Sequence, residues 1–354
     1  MTTARIPSSY TAARDAFRAT ALHHEWVAAA HPIDARGPDA ELLTVDVARH
    51  GPRHPRRALV VLSGVHGVEG FIGSALQCDL IGRSEPLAQD DAVVLVHAVN
   101  PWGMAWLRRQ NEHNVDLNRN WARDTTPPAP NDPYDELHAL LCPTSLVLGD
   151  HDEFLARIGE YVGRRGIEWV SDAISAGQYT HADGMHFGGP RTEQSTSLLA
   201  QVVSHDLAGA ESVLVVDLHT GHGKYGTCTI LTGGPVGSRN HDFLAESFPH
   251  ELLEATSGLT PGRIAAGLGQ LLPDGTFHSA TVEFGTAGGT RQLLASREEL
   301  WVQMHGDRRD PSHLAAVERY HRCFSPDDAA WEQGALEQGR SVLDAALAAV
   351  FSPR

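Results

Sequence analysis

The sequence predicts an α/β fold in which a mostly parallel β-sheet is covered by helices. Short runs of apolar, β-branched residues alternate with helical patterns along the first third of the chain. The runs are continuous, which is typical of strands buried on both faces of a sheet. The 354 residues are 42% hydrophobic and 20% charged, so the chain can bury a substantial core.

The predicted strands and helices follow one another as βαβ units. LLTVDV and ALVVLSG (58–64) are predicted strands, GFIGSALQCDLIG is a predicted helix, and AVVLVHAVN (92–100) is the next strand. ESVLVVDLH (211–219) and FHSATVEFG (277–285) are further strands, and helical patterns follow near 290–304 and 328–350. We expect the last, Ala-rich helix to pack outside the sheet and to be broken or softened at Gly334 and Gly339.

The whole chain, 1–354, is predicted to form a single domain. The segment at about 121–150 is rich in Pro, Asp and Asn and is interpreted as an inserted loop region rather than a domain boundary. The C-terminal helices are expected over 290–350. The sequence shows neither an internal repeat nor a low-complexity tract.

The charge of the chain argues against two classes of partner. A formal net charge of -16 opposes the phosphates of nucleic acids and the anionic surface of a membrane, so neither is expected as a partner. Residues 1–20 contain no apolar segment typical of a signal peptide, and the four cysteines are scattered without a Cys-x-x-Cys pair. We therefore expect a cytoplasmic protein with reduced thiols.

His66 and Glu69 lie in the segment LSGVHGVEG, between a predicted strand and a predicted helix. Side chains three residues apart on a helical turn point the same way, so an imidazole nitrogen and a carboxylate can bind one cation. Gly64, Gly67 and Gly70 give the backbone room to bend around such a site. The alternative interpretation is a structural histidine in a turn.

His219 ends another predicted strand and is a candidate third ligand. Asp217 precedes it by two residues on the same strand face. Two histidines and one Glu form a set that is typical of catalytic zinc sites with an open water position. By itself, His219 is more typical of a buried core histidine.

Two further segments carry charged residues beyond or within predicted strands. Arg108, Arg109 and Arg119 lie in a polar stretch after a strand, and clustered guanidinium groups suit carboxylate binding and oxyanion stabilisation. Glu283 lies among Val, Phe and Gly in a strand, where a carboxylate needs a partner such as metal-bound water. A solvated basic loop and a structural salt bridge are the respective alternatives.

All four segments fall at the carboxyl ends of predicted strands. In an open α/β sheet these ends face one crevice, where ligands bind. The sequence therefore predicts one site that contains all of these side chains.

This combination of residues resembles the zinc carboxypeptidase superfamily, which includes carboxypeptidase A and the aspartoacylase and succinylglutamate desuccinylase enzymes. The matching residues span about 58–286 and follow the order of the family: His66 and Glu69, the run Asp116-Leu-Asn118-Arg119-Asn-Trp, His219 and Glu283. The amino-terminal segment and the region after Glu283 carry no matching motif.

The resemblance implies a three-layer α/β/α sandwich with a central mixed, mostly parallel sheet, and one Zn²⁺ per chain held by His66, Glu69 and His219. It implies that Glu283 is the general base and acid, and that Arg109 polarises the scissile carbonyl. Substrate binding falls to Asn118 and Arg119, with Arg108 as the alternative to Arg109, and Asp116 supports His66. The tyrosine that carboxypeptidases bring to the substrate is not located by the motifs; Tyr179 and Tyr225 are candidates.

The function implied by the resemblance is zinc-dependent hydrolysis of an amide or peptide bond next to a free carboxylate, with a small peptide or N-acyl amino acid as substrate. An N-acyl amino acid deacylase and a small-molecule amidase or esterase are alternatives with the same chemistry. A non-catalytic metal-binding protein is a further alternative, although a structural zinc site needs neither Glu283 nor Arg109. The polar segment 177–195, with His181, His186 and Arg191, is interpreted either as a loop that closes over substrate or as a surface connection.

Two other motif-based functions are not supported. The glycines from Gly64 to Gly70 lack the Gly-x-Gly start and the Lys-Ser/Thr end of nucleotide-binding loops. The segment His250-Glu-Leu-Leu-Glu254 lacks the second histidine of the His-Glu-x-x-His zinc motif.

Overall fold

A computed structural model describes residues 5–121, 130–256, 262–272 and 275–352. Within these residues, eight strands form one sheet in the order β1-β2-β4-β3-β5-β8-β6-β7. The strands are β1 (Val27–Arg36), β2 (Leu42–His50), β3 (Arg57–Ser63), β4 (Asp91–His97), β5 (Ser212–Gly221), β6 (Cys228–Leu231), β7 (Leu253–Glu254) and β8 (Thr276–Gly285).

The centre of the sheet is parallel and its flanks are antiparallel. β3 pairs in parallel with β4 and with β5, and β5 pairs in parallel with β8. β2 runs antiparallel to both β1 and β4, and β6 runs antiparallel to β8 but parallel to β7. This mixed sheet confirms the predicted fold class, and the predicted strands correspond to β2, β3, β4, β5 and β8.

Helices connect and cover the strands. They are α1 (Tyr10–His23), α2 (Gly70–Gly82), α3 (Pro101–Ala105), α4 (Asp132–Leu141), α5 (Asp152–Arg165), α6 (Ile167–Ser175), α7 (Gln194–Asp206), α8 (Arg239–Ser247), α9 (Ile264–Gln270), α10 (Gly289–His305), α11 (Pro311–Phe324) and α12 (Ala329–Phe351). None of the described helices has both the length and the hydropathy needed to cross a lipid bilayer.

The side chains of the central strands alternate between two apolar cores, one on each face of the sheet. In β3, Val60 and Leu62 belong to the core that includes Leu199 of α7 and Leu268 of α9. Leu59 and Val61 belong to the other core, which includes residues of α1, α2, α8 and α12. Because successive side chains of a strand point to opposite faces, these two cores make a three-layer sandwich, as predicted.

The expectation that α12 breaks at its glycines is wrong. The helix runs without interruption from Ala329 to Phe351. Gly339 faces α2, and a Cβ placed there would lie 2.5 Å from Cδ1 of Leu76. The glycine therefore allows α12 to approach α2 closely, and this packing outweighs the low helix propensity of glycine.

The predicted inserted loop region, about 121–150, is only partly a loop. Residues 122–129 lie outside the described part of the chain, and α4 begins at Asp132. Tyr134 and Leu137 of α4 pack with Phe154, Val170 and Leu300 in a separate small core. Segment 130–176 therefore forms a layer of helices against α10.

Candidate metal centre

The carboxyl ends of three adjacent parallel strands, β3, β5 and β8, meet at one edge of the sheet. β3 ends at Ser63, which is in register with Leu218, and His219 is in register with Glu283. His66 and Glu69 follow β3 in a short 3-10 turn that leads directly into α2. A Cβ at Gly67 of this turn would lie 2.0 Å from the backbone of Gly103, so only glycine allows the turn to pack on α3.

Three buried side chains converge at this edge. Nδ1 of His66 lies 3.0 Å from Nδ1 of His219 and 3.0 Å from Oε1 of Glu69. Nδ1 of His219 lies 2.9 Å from Oε2 of Glu69. Tetrahedral zinc with bonds of about 2.0–2.1 Å places its ligand atoms about 3.3 Å apart. The separations in this cluster are close to that value, so His66, Glu69 and His219 fit a single zinc ion.

The nitrogen of each imidazole that faces away from the cluster lies near a buried carboxylate. Nε2 of His66 is 3.3 Å from Oδ1 of Asp116, and Nε2 of His219 is 2.8 Å from Oδ2 of Asp217. Metal-binding histidines usually have such a carboxylate behind them, which orients the ring and raises its basicity. Asp116 thus lies behind His66, where the resemblance implied, and Asp217 lies behind His219 in the same way.

The charges around the cluster favour a cation at its centre. Burial alone would raise the pKa of Glu69, but the charge of His66 and hydrogen bonds with both imidazoles hold this pKa well below its usual range. Burial would lower the pKa of His219, but Asp217 and Glu69 raise it well above its usual value. Glu69, Asp116 and Asp217 therefore create a negative field at the position where the imidazole nitrogens meet.

Glu283 lies on β8 beside His219 of β5 and is partly exposed. The backbone N–H of His222 donates to Oε2 of Glu283 at 3.3 Å. Burial raises the pKa of Glu283; the charge of His219 opposes this rise and that of Glu69 adds to it. A carboxylate with a raised pKa beside a metal centre has the character of a general base and acid.

The two neighbouring arginines, Arg108 and Arg109, have different surroundings. Arg109 donates from Nη1 to Oε1 of Glu69 and from Nε to Oδ2 of Asp116, both at 3.0 Å, and it stays partly exposed. Arg108 is fully buried, and its Nε donates to Oε1 of Glu299 at 2.8 Å. Arg109 is thus the one of the two that borders the cluster.

Asn118 and Arg119 follow Asp116 in a short 3-10 turn. The backbone N–H of Asn118 donates to Oδ1 of Asp116 at 2.9 Å, and Oδ1 of Asn118 accepts from the N–H of Ile264 at 3.1 Å. Arg119 is buried, and burial lowers its pKa to about 10. Its guanidinium donates to the backbone carbonyls of Asn118 and Ser175.

The loop 177–195 contributes one histidine to the surroundings of the cluster. Nδ1 of His186 lies 3.2 Å from Oδ2 of Asp116. The two candidate tyrosines donate hydrogen bonds to other residues. Tyr179 donates to the backbone carbonyl of Arg119 at 2.8 Å, and Tyr225 donates to Oδ2 of Asp328 at 2.7 Å.

Arg263 and the supporting role of Asp217 are features that the sequence did not identify. Asp217 had a local signal, because it shares a strand face with His219. Arg263 had none, because it lies outside the recognised motifs, and its neighbour Ile264 contacts Asn118 only in the folded chain.

Two other groups of side chains in the described residues have a spacing suited to a metal ion, namely His138, His181 and Asp183, and Glu112, His113 and Glu193. Each includes at least one exposed member, whereas His66, Glu69 and His219 are all buried. Exposed groups of this kind are commonly paired with solvent or with one another, so we assign the metal centre to the buried cluster.

The fold and the buried cluster define an α/β protein with a candidate three-ligand metal centre. A family model described as "Protein of unknown function (DUF2817)" matches residues 7–338, and the chain belongs to this family. No curated protein matches the chain.

Several solved structures are similar to the chain. Carboxypeptidase A from Helicoverpa armigera is 12% identical, with a TM-score of 0.45 over 91% of this chain and 74% of that one. The murein-tripeptide amidase MpaA from Escherichia coli O157 is 20% identical, with a TM-score of 0.39 over 77% and 91% of the two chains. Succinylglutamate desuccinylase from Chromobacterium violaceum is 14% identical, with a TM-score of 0.38 over 88% and 74%.

Proposed function

We propose that the protein is a zinc-dependent hydrolase that cleaves an amide or peptide bond next to a free carboxylate. The observation that supports this most directly is the convergence of His66, Glu69 and His219 within about 3 Å of one another, with Glu283 on the adjacent strand. A structural zinc site normally has four protein ligands. Three ligands beside a carboxylate with a raised pKa fit a catalytic site better.

The proposed chemistry divides among the side chains as follows. Zinc at this site would supply an activated water and polarise a carbonyl oxygen. Glu283 accepts the proton of the attacking water on a carboxylate oxygen and returns it to the departing amine nitrogen. Burial raises the pKa of Glu283 above its usual value, which makes the carboxylate a stronger base toward the proton of the water.

Arg109 is proposed to stabilise the negative charge that develops on the carbonyl oxygen. Nε and Nη1 of Arg109 hold Asp116 and Glu69, so its position relative to the cluster is fixed in advance. We expect Nη2 to face the substrate. Asn118 donates from its backbone N–H to Asp116 and is partly exposed, so its side-chain amide is a candidate donor to the substrate.

The experiment is a hydrolysis screen of short peptides and N-acyl amino acids, run with zinc-loaded protein, with and without a chelator. We expect release of an amine from substrates that carry a free carboxylate, and loss of this activity when the chelator removes zinc. Cleavage that is unaffected by metal removal would contradict the proposal. The same screen separates a peptidase from an N-acyl amino acid deacylase.

The Glu283→Gln variant tests the proposed general base. The amide is nearly the same size but cannot accept the proton, so we expect zinc content to be retained and kcat to fall by about 10²- to 10⁴-fold. The matched control is Glu211→Gln, an exposed Glu that pairs with Arg56 outside the site. An undiminished kcat in Glu283→Gln would show that another group moves the proton.

A further inference from the structure

The guanidinium of Arg119 donates hydrogen bonds to two separate backbone segments. Nη1 donates to the carbonyl of Asn118 at 2.8 Å, and Nη2 donates to the carbonyl of Ser175 at 2.6 Å. A Cβ added to Gly177 would lie 2.6 Å from Cδ of Arg119, so the side chain is closely covered. Ser175 is the last residue of α6, where a cation also complements the helix dipole. Nη1 and Nη2 of Arg119 therefore link α6 to the segment that follows Asp116, while its Nε is buried without a hydrogen-bond partner among the described residues.

Arg263 is a second arginine at the same edge of the site. Its backbone is fixed to the Asn118 segment on both sides: the N–H of Ile264 donates to Oδ1 of Asn118, and the carbonyl of Gly262 accepts from the N–H of Trp121 at 3.0 Å. Nε of Arg263 is buried and has no hydrogen-bond partner among the described residues. A buried polar group of this kind needs a partner.

The charges that face Arg263 are carboxylates of the candidate metal centre. Burial lowers the pKa of Arg263, whereas Asp217, Glu283 and Asp116 each raise it. In the part of the chain that the structure describes, however, no carboxylate lies within ion-pair distance of its guanidinium. Within the described residues, the guanidinium of Arg263 thus takes part in no ion pair. In contrast, Arg108 and Arg109 pair with carboxylates, and Arg119 donates through Nη1 and Nη2 to two backbone carbonyls.

We propose that Arg263, rather than Arg119, binds the free carboxylate of the substrate. A planar guanidinium can hold a carboxylate through two parallel hydrogen bonds, and the tether to Asn118 places this group beside the other candidate substrate-binding residue. The inference rests on the proposed function, because it names the residue that selects acidic substrates for that reaction.

The kinetic test compares the best-cleaved peptide with its C-terminal amide. Replacing Arg263 by Met removes the charge but keeps much of the side-chain volume. Since a hydrogen bond to a charged group is a strong one, we expect KM for the acid to rise about 10- to 100-fold with little change in kcat. KM for the amide should stay the same, and Arg263→Lys should restore part of the preference. The control is Arg56→Met, which lies outside the site and should change neither constant.

Chemical labelling tests the inference without turnover. We expect phenylglyoxal to modify Arg263 and Arg56 but not the buried Arg119, as read by peptide mass spectrometry. Excess N-acetylalanine should protect Arg263, N-acetylalaninamide should not, and neither should protect Arg56.

The two arms separate the possible failures. Three results would overturn the assignment of Arg263. They are an equal rise in KM for the peptide acid and its amide in Arg263→Met, an unchanged KM in that variant, and labelling of Arg263 that N-acetylalanine does not slow. If the wild-type protein cleaves no member of the screen, the proposed function fails, and the labelling result then decides by itself whether Arg263 binds a carboxylate.

Discussion

The cluster of His66, Glu69 and His219 shows which single residues could be identified from the sequence and which could not. His66 and Glu69 were predictable because their spacing on one turn is a local property of the chain. His219 gained its meaning only through the parallel pairing of β3 with β5, which brings it next to them. Arg263 was not predictable, since its environment depends on contacts with Asn118 and Trp121 more than a hundred residues away.

The metal ligands give a first prediction. His66→Ala or His219→Ala should each lose most of the zinc, whereas the wild-type protein should hold about one zinc per chain, because removing one of three ligands leaves too few to retain the ion. Metal content of the purified proteins measures this. The control is His205→Ala, an exposed histidine that pairs with Asp206 far from the cluster. Zinc content that is equal in all four proteins would place the metal elsewhere.

His97 gives a prediction on pH and stability. This buried histidine stacks on Phe17 and forms a hydrogen bond with Ser74, and burial lowers its pKa to about 3. Unfolded chains protonate histidine below about pH 6.5, whereas the folded protein does not protonate His97 until about pH 3. The folded state is thus at a growing disadvantage as the pH falls through this window.

The contribution of His97 to the free energy of unfolding should fall by about 1.4 kcal/mol between neutral pH and pH 5.5. Denaturant unfolding of the wild type and of His97→Gln at a series of pH values measures this. The variant is expected to have a shallower pH dependence over the same range, whatever its absolute stability, because glutamine does not titrate. Parallel curves for the two proteins would show that His97 is protonated in the folded state.

At the scale of elements, the strength of the sequence pattern decided what was predictable. The central strands were predicted because they are continuous apolar runs. β6 and β7 are short strands at one end of the sheet, and they were not predicted because β6 depends on pairing with β8, and β7 on pairing with β6. The α12 helix was predicted, but its continuity through Gly334 and Gly339 was not. The low helix propensity of glycine is a weak local preference, and the packing of α12 on α2 and the sheet outweighs it.

The two glycines of α12 give a matched pair of predictions. Gly339→Val should destabilise the protein by about 1–3 kcal/mol, because the new side chain would overlap Leu76 and Phe284. Gly334→Ala should instead stabilise it by up to about 1 kcal/mol, because the nearest atom to an added Cβ is Nε2 of Gln338 at 3.7 Å. Denaturant midpoints of the two variants measure the difference. A similar effect of both substitutions would mean that α12 does not pack on α2 through Gly339.

For the whole molecule, metal binding and folding should be linked. The cluster exists only when β3, β5 and the turn after β3 are assembled, so zinc that binds the folded chain should raise its unfolding temperature. We expect a chelator to lower the unfolding temperature of the zinc-loaded protein and added zinc to restore it. In His66→Ala, the chelator should have little effect. A wild-type unfolding temperature that does not depend on zinc would contradict binding at the cluster.

The sequence by itself determined the class of fold, the order of its central strands along the chain and the identity of the residues in the cluster. These follow from local patterns: apolar runs, helical periodicity, and the spacing of His66 and Glu69. The tertiary structure alone decided which partners each arginine has, why Gly339 is tolerated in a helix, and which carboxylate lies behind each imidazole. The physical reason is that charge pairing and close packing depend on distances between residues that are remote in the chain, and only the folded chain sets those distances.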